Sequence, residues 1–360
     1  MRTAIERVKI ALMAMRNVLI TGGTGFLGVH LARKLLATKK YRVTLFDIAP
    51  LDAKDLIGKV TYIKGDVRKS AVVKKAINGM DYIVHAAAAL PIQHDRNIIY
   101  QTNIIGTENV LEASLQYKVK RLVYISSSAV YGVPKYVPET EENPIDPVGH
   151  YGESKVASEK LCQEYMRKGL QINIIRPKTF LGPERLGVFQ LWFEAIYSGK
   201  HVFLLGSGNN RYQLLDVGDI SDAIIKALEE KVYGEVFNVG AKKFGTWRED
   251  LGAVINYAKS KSTIIGLPVL PSQIILRILE YFHLSPIVAW HYKTIPVESY
   301  LSIAKAEKLL NWYPKKSNKE LLLESYQWYE KHRHEIINKK GMTHRVGWNF
   351  QLINLITKFF

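Results

Sequence analysis

The residues best placed to do chemistry lie in the stretch HYGESK, where Tyr151 and Lys155 stand four positions apart. On a helix, positions i and i+4 share a face, so this phenol and this ammonium are neighbours if the stretch is helical. A free phenol titrates near ~10 and is a poor base at neutral pH. A cation beside it favours the phenolate and lowers that value. A tyrosine activated in this way takes the proton of a substrate hydroxyl and, in reverse, returns it to a forming alkoxide. The same spacing occurs three times, at Tyr131/Lys135, Tyr151/Lys155 and Tyr257/Lys261. Pro134 disfavours the helix that the first pair needs. The third pair has no hydroxyl-bearing strand before it. Tyr151 follows the run Ser126–Ser128, which ends an apolar strand 24 residues before it, counted from Ser127.

Removing a proton from a carbinol is half of an oxidation; the other half needs a hydride acceptor. The stretch ITGGTGFLG supplies a place for one, with Gly22, Gly25 and Gly28 spaced G-x-x-G-x-x-G around Phe26 and Leu27. Gly22 permits a tight turn, Gly25 lets backbone approach a pyrophosphate, and Gly28 lets a helix pack close to a strand. The helix that opens there offers free N–H groups and a positive dipole end to phosphates. An acid, Asp47, stands 25 residues after Gly22 at the end of the next strand. A carboxylate there bonds the adenosine ribose hydroxyls and repels a 2′-phosphate. No arginine follows in IAP, so the cofactor expected is NAD rather than NADP.

The elements that must position these groups alternate. NVLIT (17–21), RVTLFD (42–47), VTYIKGD (60–66), MDYIVHAAA (80–88), VKRLVYISSS (119–128) and LQINIIRP (170–177) read as strands, with helices at 29–37, 68–78, 97–117 and 151–168 between them. Short apolar runs separated by amphipathic helices predict an α/β fold, a Rossmann-type doubly wound parallel sheet covered on both faces. Beyond it, 185–199 reads as helix, 210–230 as strand and helix, 235–240 as a strand, and 244–335 as mostly helical. The expected organisation is an extension over 1–14, a cofactor domain over 15–178 to which 210–243 returns, a smaller substrate lobe over 179–209 and 244–335, and an apolar tail over 336–360.

Taken together, these motifs resemble the extended branch of the short-chain dehydrogenase/reductase superfamily, which holds nucleotide-sugar epimerases, dehydratases and 3β-hydroxysteroid-type dehydrogenases. The resemblance runs over about 15–335, through GDVRK, VHAAA, NIIGT, YISSSAVYG, YGESK, RPKTFLGP and AEKLLNWYPK. It implies that Ser127, Tyr151 and Lys155 are catalytic, with Ser127 orienting the substrate oxygen and Lys155 also holding the nicotinamide ribose. It implies cofactor contacts from Asp66, Val67, Ala86, Ala87 and Asn103 in addition to the glycine turn. It places Ser127, Ser128, Thr179 and Arg211 against substrate, Arg211 toward a diphosphate. Family dehydratases that eliminate water from nucleotide sugars carry an Asp-Glu pair where this chain has Ser128 and Ala129, so 4,6-dehydration is disfavoured. What remains is epimerisation of a nucleotide sugar through a keto sugar. The alternative is a steroid-type dehydrogenase acting on a hydrophobic or lipid-linked alcohol, and a non-catalytic NAD-binding protein is the third reading. Thr179 and Lys178 depart from the commoner Arg-Pro-x-Asn pattern. A homodimer through the helices at 97–117 and 151–168 is also implied.

Composition bounds the rest. The chain has 360 residues, one cysteine (Cys162) and a formal charge of +17. A single cysteine excludes an internal disulfide, and the cytoplasm is the expected location. The charge attracts anions, yet no basic run with interleaved aromatics marks nucleic-acid binding. No histidine or cysteine spacing suits a metal, and His85 reads as a packed strand-end residue. The apolar segment 263–290 reads as an amphipathic lid helix packed on its own lobe, with a membrane surface as the other use for it, and the tail VGWNFQLINLITKFF (346–360) as docking on its own protein, on a second subunit or on a membrane surface.

Overall fold

The computed structural model describes residues 15–90, 95–282 and 287–338. The extension over 1–14 and the tail segment 346–360 lie outside the described residues.

Seven strands form one parallel sheet: β1 (Arg16–Thr21), β2 (Tyr41–Asp47), β3 (Thr61–Lys64), β4 (Tyr82–His85), β5 (Arg121–Ile125), β6 (Ile172–Pro177) and, later in the chain, β10 (Val236–Val239). Their order is β3-β2-β1-β4-β5-β6-β10. Side chains alternate between faces, and both faces are covered, which is why the strands read as unbroken apolar runs. Val18 and Ile20 of β1 face α1 (Phe26–Ala37) and α7 (Val217–Glu229), through Val29, Leu35, Ile220 and Ile224. Leu19 faces the other side, where α2 (Ser70–Ile77), α4 (Gly106–Gln116) and α5 (Gly149–Arg167) contribute Val73, Leu111 and Cys162. Each such fully buried aliphatic side chain is worth about 1.5–3 kcal/mol over its exposed state. The chain winds outward from β1 through β2 and β3, then crosses to β4 and winds the other way. A crevice opens at that switch point, beyond the carboxyl ends of the strands.

The chain after β6 borders that crevice. This part of the chain holds two small parallel pairs, β7 (Phe180–Leu181) with β9 (Leu215–Asp216), and β8 (Val202–Leu205) with β11 (Ile264–Leu267). Helices α6 (Phe189–Tyr197), α8 (Trp247–Tyr257) and α12 (Asn318–Asn338) pack around Phe193, Leu251, Tyr326 and Tyr329. The Arg333 guanidinium donates two hydrogen bonds to Glu194, at 2.8 and 2.7 Å, and pins α12 to α6. Helix α9 (Val269–Tyr281) pairs with α10 (Ala289–Thr294), and α11 (Ala304–Leu310) packs on α7 and β10.

Three expectations change. The helix expected over 97–117 is α3 (Arg96–Tyr100), a π-type stretch over Gln101–Ile105, and α4. Strands β8 and β11 were hidden because four residues without polar alternation give no period to detect. The apolar segment 263–290 is not one helix: it holds β11, α9 and the start of α10, and α9 rests on α10 with no residue fully buried and with six large apolar side chains, counting Phe282 at its end, facing solvent.

A buried ion pair ties the sheet edge to α5. The Arg176 guanidinium donates to both oxygens of Glu159, at 2.9 and 2.6 Å, and each side chain is 3% exposed. Glu159 also accepts from Ser126 Oγ at 2.5 Å, and Arg176 donates to the Tyr131 hydroxyl at 2.8 Å. Breaking one partner of such a pair strands a buried charge. Glu159→Gln is therefore expected to lower stability by about 3 kcal/mol in urea unfolding. A change within ~0.5 kcal/mol would contradict that role.

Candidate active site

The glycine turn is built by contact. Gly22 has φ +67°, and a Cβ there would lie 2.8 Å from the Ala87 nitrogen. A Cβ on Gly28 would lie 2.5 Å from the Gly22 carbonyl oxygen, so the helix can approach the turn only without one. Gly25 caps α1, and no side chain satisfies the first N–H groups of that helix. Uncapped donors at a helix start that lines a cleft suit a pyrophosphate. Asp47 accepts from the backbone N–H of Thr24 and of Ala49, each at 3.1 Å. Those two bonds fix its carboxylate at the rim of the cleft. Asp66 is held by Arg68, whose hydrogen bond lowers its pKa from the ordinary value.

The cleft has a volume of about 820 Å³. Gly22, Gly25, Phe26, Leu27, Asp47, Asp66, Val67, Ala86, Ala87 and Lys155 line one part of it. Ser127, Ser128, Tyr151 and Thr179 line the adjoining part. These residues fit an extended dinucleotide: a cradle without side chains for the phosphates, a carboxylate for a ribose, and apolar walls for the rings.

Tyr151 and Lys155 lie one turn apart on α5, as their spacing requires. Lys155 is buried, and its ammonium donates to the Ile125 carbonyl oxygen at 2.7 Å and to the Tyr124 hydroxyl at 3.4 Å. It stands 5.8 Å from the centre of the Tyr151 ring. Burial lowers its pKa to about 8, against the opposing charge of Glu159. Ser127 Oγ accepts a hydrogen bond from the Ala129 N–H at 3.1 Å. The Tyr151 hydroxyl titrates above its ordinary value, because burial outweighs the lowering influence of Ser127 and of the Arg185 charge. That departs from the expectation of a lowered pKa: the Lys155 ammonium is directed at Ile125 rather than at the phenol.

Two expected contacts fall elsewhere. Asn103 is buried behind the cleft wall; its amide accepts from Ala89 N at 2.7 Å and donates to Ala89 O at 3.1 Å and to Ser154 Oγ at 2.9 Å. It holds the Ala86–Ala89 strip against α5 and is not among the lining residues. Arg211 also lies off the cleft, bound to Glu298 at 3.1 Å and to the Tyr300 hydroxyl at 2.5 Å. His85 is buried between Thr21 and Thr107, at 2.6 and 2.9 Å, and burial lowers its pKa to about 3, so it is neutral packing.

Sequence reasoning missed Arg185 and underused Lys178. Arg185 lines the cleft over the rings of Phe26 and Phe180, 5.6 and 5.5 Å from their centres. No acidic side chain is shown bonded to it, since the neighbouring Glu184 is engaged by Arg33. Lys178 is buried at the cleft floor, donates to Ser299 Oγ at 2.5 Å, and is lowered by burial to about 8 against the pull of Glu139. The far end of the cleft is aromatic: Trp192 meets Trp247 edge to face at 5.1 Å, and Trp247 stacks on Tyr212 at 4.6 Å. The only available signal was the run GPER after β7, whose arginine has no spacing to mark it.

A parallel sheet in this order, a glycine turn opening α1, and a Ser, Tyr and Lys set at the carboxyl ends of the strands define an extended short-chain dehydrogenase/reductase. The chain belongs to the NAD dependent epimerase/dehydratase family, whose description matches residues 18–240. It is 34% identical over 357 residues to the uncharacterized protein y4nG of Sinorhizobium fredii, covering 99% of this chain and 89% of that one. It is 33% identical over 233 residues, 62% of this chain and 66% of the other, to the N-acetyl-alpha-D-glucosaminyl-diphospho-ditrans,octacis-undecaprenol 4-epimerase of Escherichia coli O157:H7. The crystal structure of UDP-glucuronic acid 4-epimerase from Bacillus cereus in complex with NAD shares the fold, with a TM-score of 0.74 and 24% identity over 88% of this chain and 99% of that one.

Two expectations follow. Asp47→Ala is expected to weaken NAD binding about tenfold and to narrow the preference over NADP, read by fluorescence titration of both cofactors; unchanged affinities would remove Asp47 from the ribose. Lys155 has a folded pKa of about 8 and an ordinary value of 10.5. Between those values the unfolded chain binds the extra proton, so stability rises with pH across that window, by up to about 3 kcal/mol. Lys178 adds a parallel share. In cofactor-free urea unfolding, Lys155→Met is expected to reduce the rise by about half, and an unaltered slope would contradict the burial of its charge.

Proposed function

We propose that the chain is an NAD-dependent epimerase of a nucleotide sugar. The observation that carries the proposal is the meeting of Ser127, Tyr151 and Lys155 in the same cleft as the glycine turn and Asp47. Bound NAD supplies the hydride acceptor. Tyr151 takes the carbinol proton and returns it to the alkoxide of the reduced product. Ser127 holds the substrate oxygen beside the phenol. Lys155, fixed by Ile125, is the cation that would hold the cofactor ribose. Ser128 and Ala129, adjacent to Ser127, offer no acid or base for elimination, so 4,6-dehydration is not part of the proposal. Thr179 lines the sugar end of the cleft, and Arg185, rather than Arg211, is the cation facing a diphosphate.

The activities named for the relatives support a diphosphate-linked sugar as substrate. The Bacillus cereus enzyme is named for a UDP sugar and the Escherichia coli enzyme for a polyprenyl diphosphate sugar. The aromatic far end favours the lipid-linked alcohol as the second reading, because a chain of hydrocarbon has more to gain there than a sugar has. The proposal includes residence in the cytoplasm, supported by a single, buried cysteine. It also includes a homodimer through α4 and α5, supported by their lying together on one face of the sheet.

Tyr151→Phe is expected to cut turnover by about 10²–10⁴-fold while the NAD-induced rise in melting temperature persists; a variant that keeps its turnover would remove Tyr151 from proton transfer. A thermal melt with saturating NAD and excess UDP is expected to rise by a further few degrees or so. No rise with any nucleoside diphosphate would transfer the proposal to the lipid-linked reading.

A further inference from the structure

Helix α9 is built the wrong way round for a soluble surface. At ~100° per residue, Leu270, Ile274, Ile275, Ile278, Tyr281 and Phe282 fall in a stripe about 140° wide. All six are exposed, from 53% for Ile278 to 80% for Tyr281. The other face is turned into the protein, where Val269, Leu276 and Leu279 are half-buried beside Gln273 and Glu280. Gln273 donates to the Tyr292 carbonyl oxygen at 2.9 Å, and Glu280 accepts from the Ala289 N–H at 3.1 Å and from the Tyr292 hydroxyl at 2.9 Å. An amphipathic surface helix ordinarily buries its apolar stripe. Here a second apolar stripe is presented to solvent, while the mixed face with Gln273 and Glu280 is held on α10.

We propose that α9 seats the protein on an anionic lipid bilayer surface, lying in the interface with its apolar stripe among the acyl chains. Three features favour lipid over a second copy of this chain. The formal charge of +17 attracts an anionic surface and repels another copy. The one acidic side chain of α9 is turned inward, and Arg277 stands exposed at the edge of the stripe. Tyr281 and Phe282 close the stripe, and aromatic rings suit the level of the headgroups. Apolar burial plus electrostatic attraction are the two contributions that hold an interfacial helix. The helix has 13 residues, and among the described residues none is long and apolar enough to cross a membrane, so α9 lies on the bilayer. Its partner α10 carries Trp290 and His291, which line the cleft, so docking would bring the aromatic mouth of the cleft to the lipid surface. This inference goes beyond the catalytic proposal and stands or falls separately from it.

The test is co-sedimentation of the full chain with vesicles of phosphatidylcholine and phosphatidylglycerol in equal parts, and with phosphatidylcholine alone. The comparison protein is the double variant Ile274→Glu, Ile278→Glu, whose positions are exposed and off the cleft. An unchanged NAD-induced melting shift certifies that the variant is folded. The wild type is expected to bind the anionic vesicles, to lose binding as salt rises, and to bind at least about tenfold better than the double variant. The proposal is overturned if the wild type binds neither vesicle. It is overturned equally if the variant binds as well as the wild type, which would assign lipid contact to another segment. Wild-type dimers that the variant loses, without vesicle binding by either, would overturn it in favour of a second copy.

Discussion

The site depends on the hydrogen bond from the Lys155 ammonium to the Ile125 carbonyl oxygen, at 2.7 Å. It spans from α5 to the end of β5. Through it the helix that carries Tyr151 is registered against the strand that delivers Ser127. Glu159, one turn further along α5, repeats the tie through Ser126 and Arg176. Two charged groups on one helix thus fix three consecutive serines relative to a phenol. Burying an ammonium is costly, and its lowered pKa records that cost. The same burial raises the Tyr151 hydroxyl, so without cofactor the phenol is held neutral. The protein part of the site therefore holds the phenol neutral, and the positive ring of an oxidised nicotinamide would supply charge that favours loss of the phenol's proton.

The sheet explains why the groups meet where they do. Parallel strands all end at one edge, and the reversal between β1 and β4 leaves a gap in the loops there. The uncapped start of α1, the Asp47 carboxylate and the Ser127 hydroxyl all belong to that edge. Asn103 shows how much support lies out of sight. Its side chain touches nothing in the cleft, yet it fixes Ala89 and Ser154 and so keeps the wall and α5 in register.

The sequence made the cofactor half legible because that half is written in local rules. Gly25 and Gly28 are required by backbone contacts within the turn and Gly22 by its positive φ, and Tyr151 and Lys155 by one turn of helix. The apolar strands announced a doubly covered sheet because burial on both faces leaves no room for polar residues. What stayed hidden depends on distant partners. Arg211 looked free until Glu298, 87 residues on, was seen to hold it. Arg185 carries no spacing that marks it, and its place over Phe26 is set only by the fold. For α9 the sequence gives an apolar stripe but not which way it faces; that is set by Gln273 and Glu280 reaching α10.

The central claim is that the Ser127, Tyr151 and Lys155 set oxidises and re-reduces one sugar carbon without net change in the cofactor. The most direct measurement incubates the NAD-loaded protein with a panel of UDP sugars in deuterated water, following NADH absorbance and the proton spectrum of the sugar together. The account predicts inversion at a single carbinol, no NADH accumulating with turnover, and no deuterium at the inverted carbon. NADH rising in step with product would make the chain a net dehydrogenase, and deuterium entering the sugar ring or loss of a hydroxyl would make it a dehydratase; either result contradicts the account.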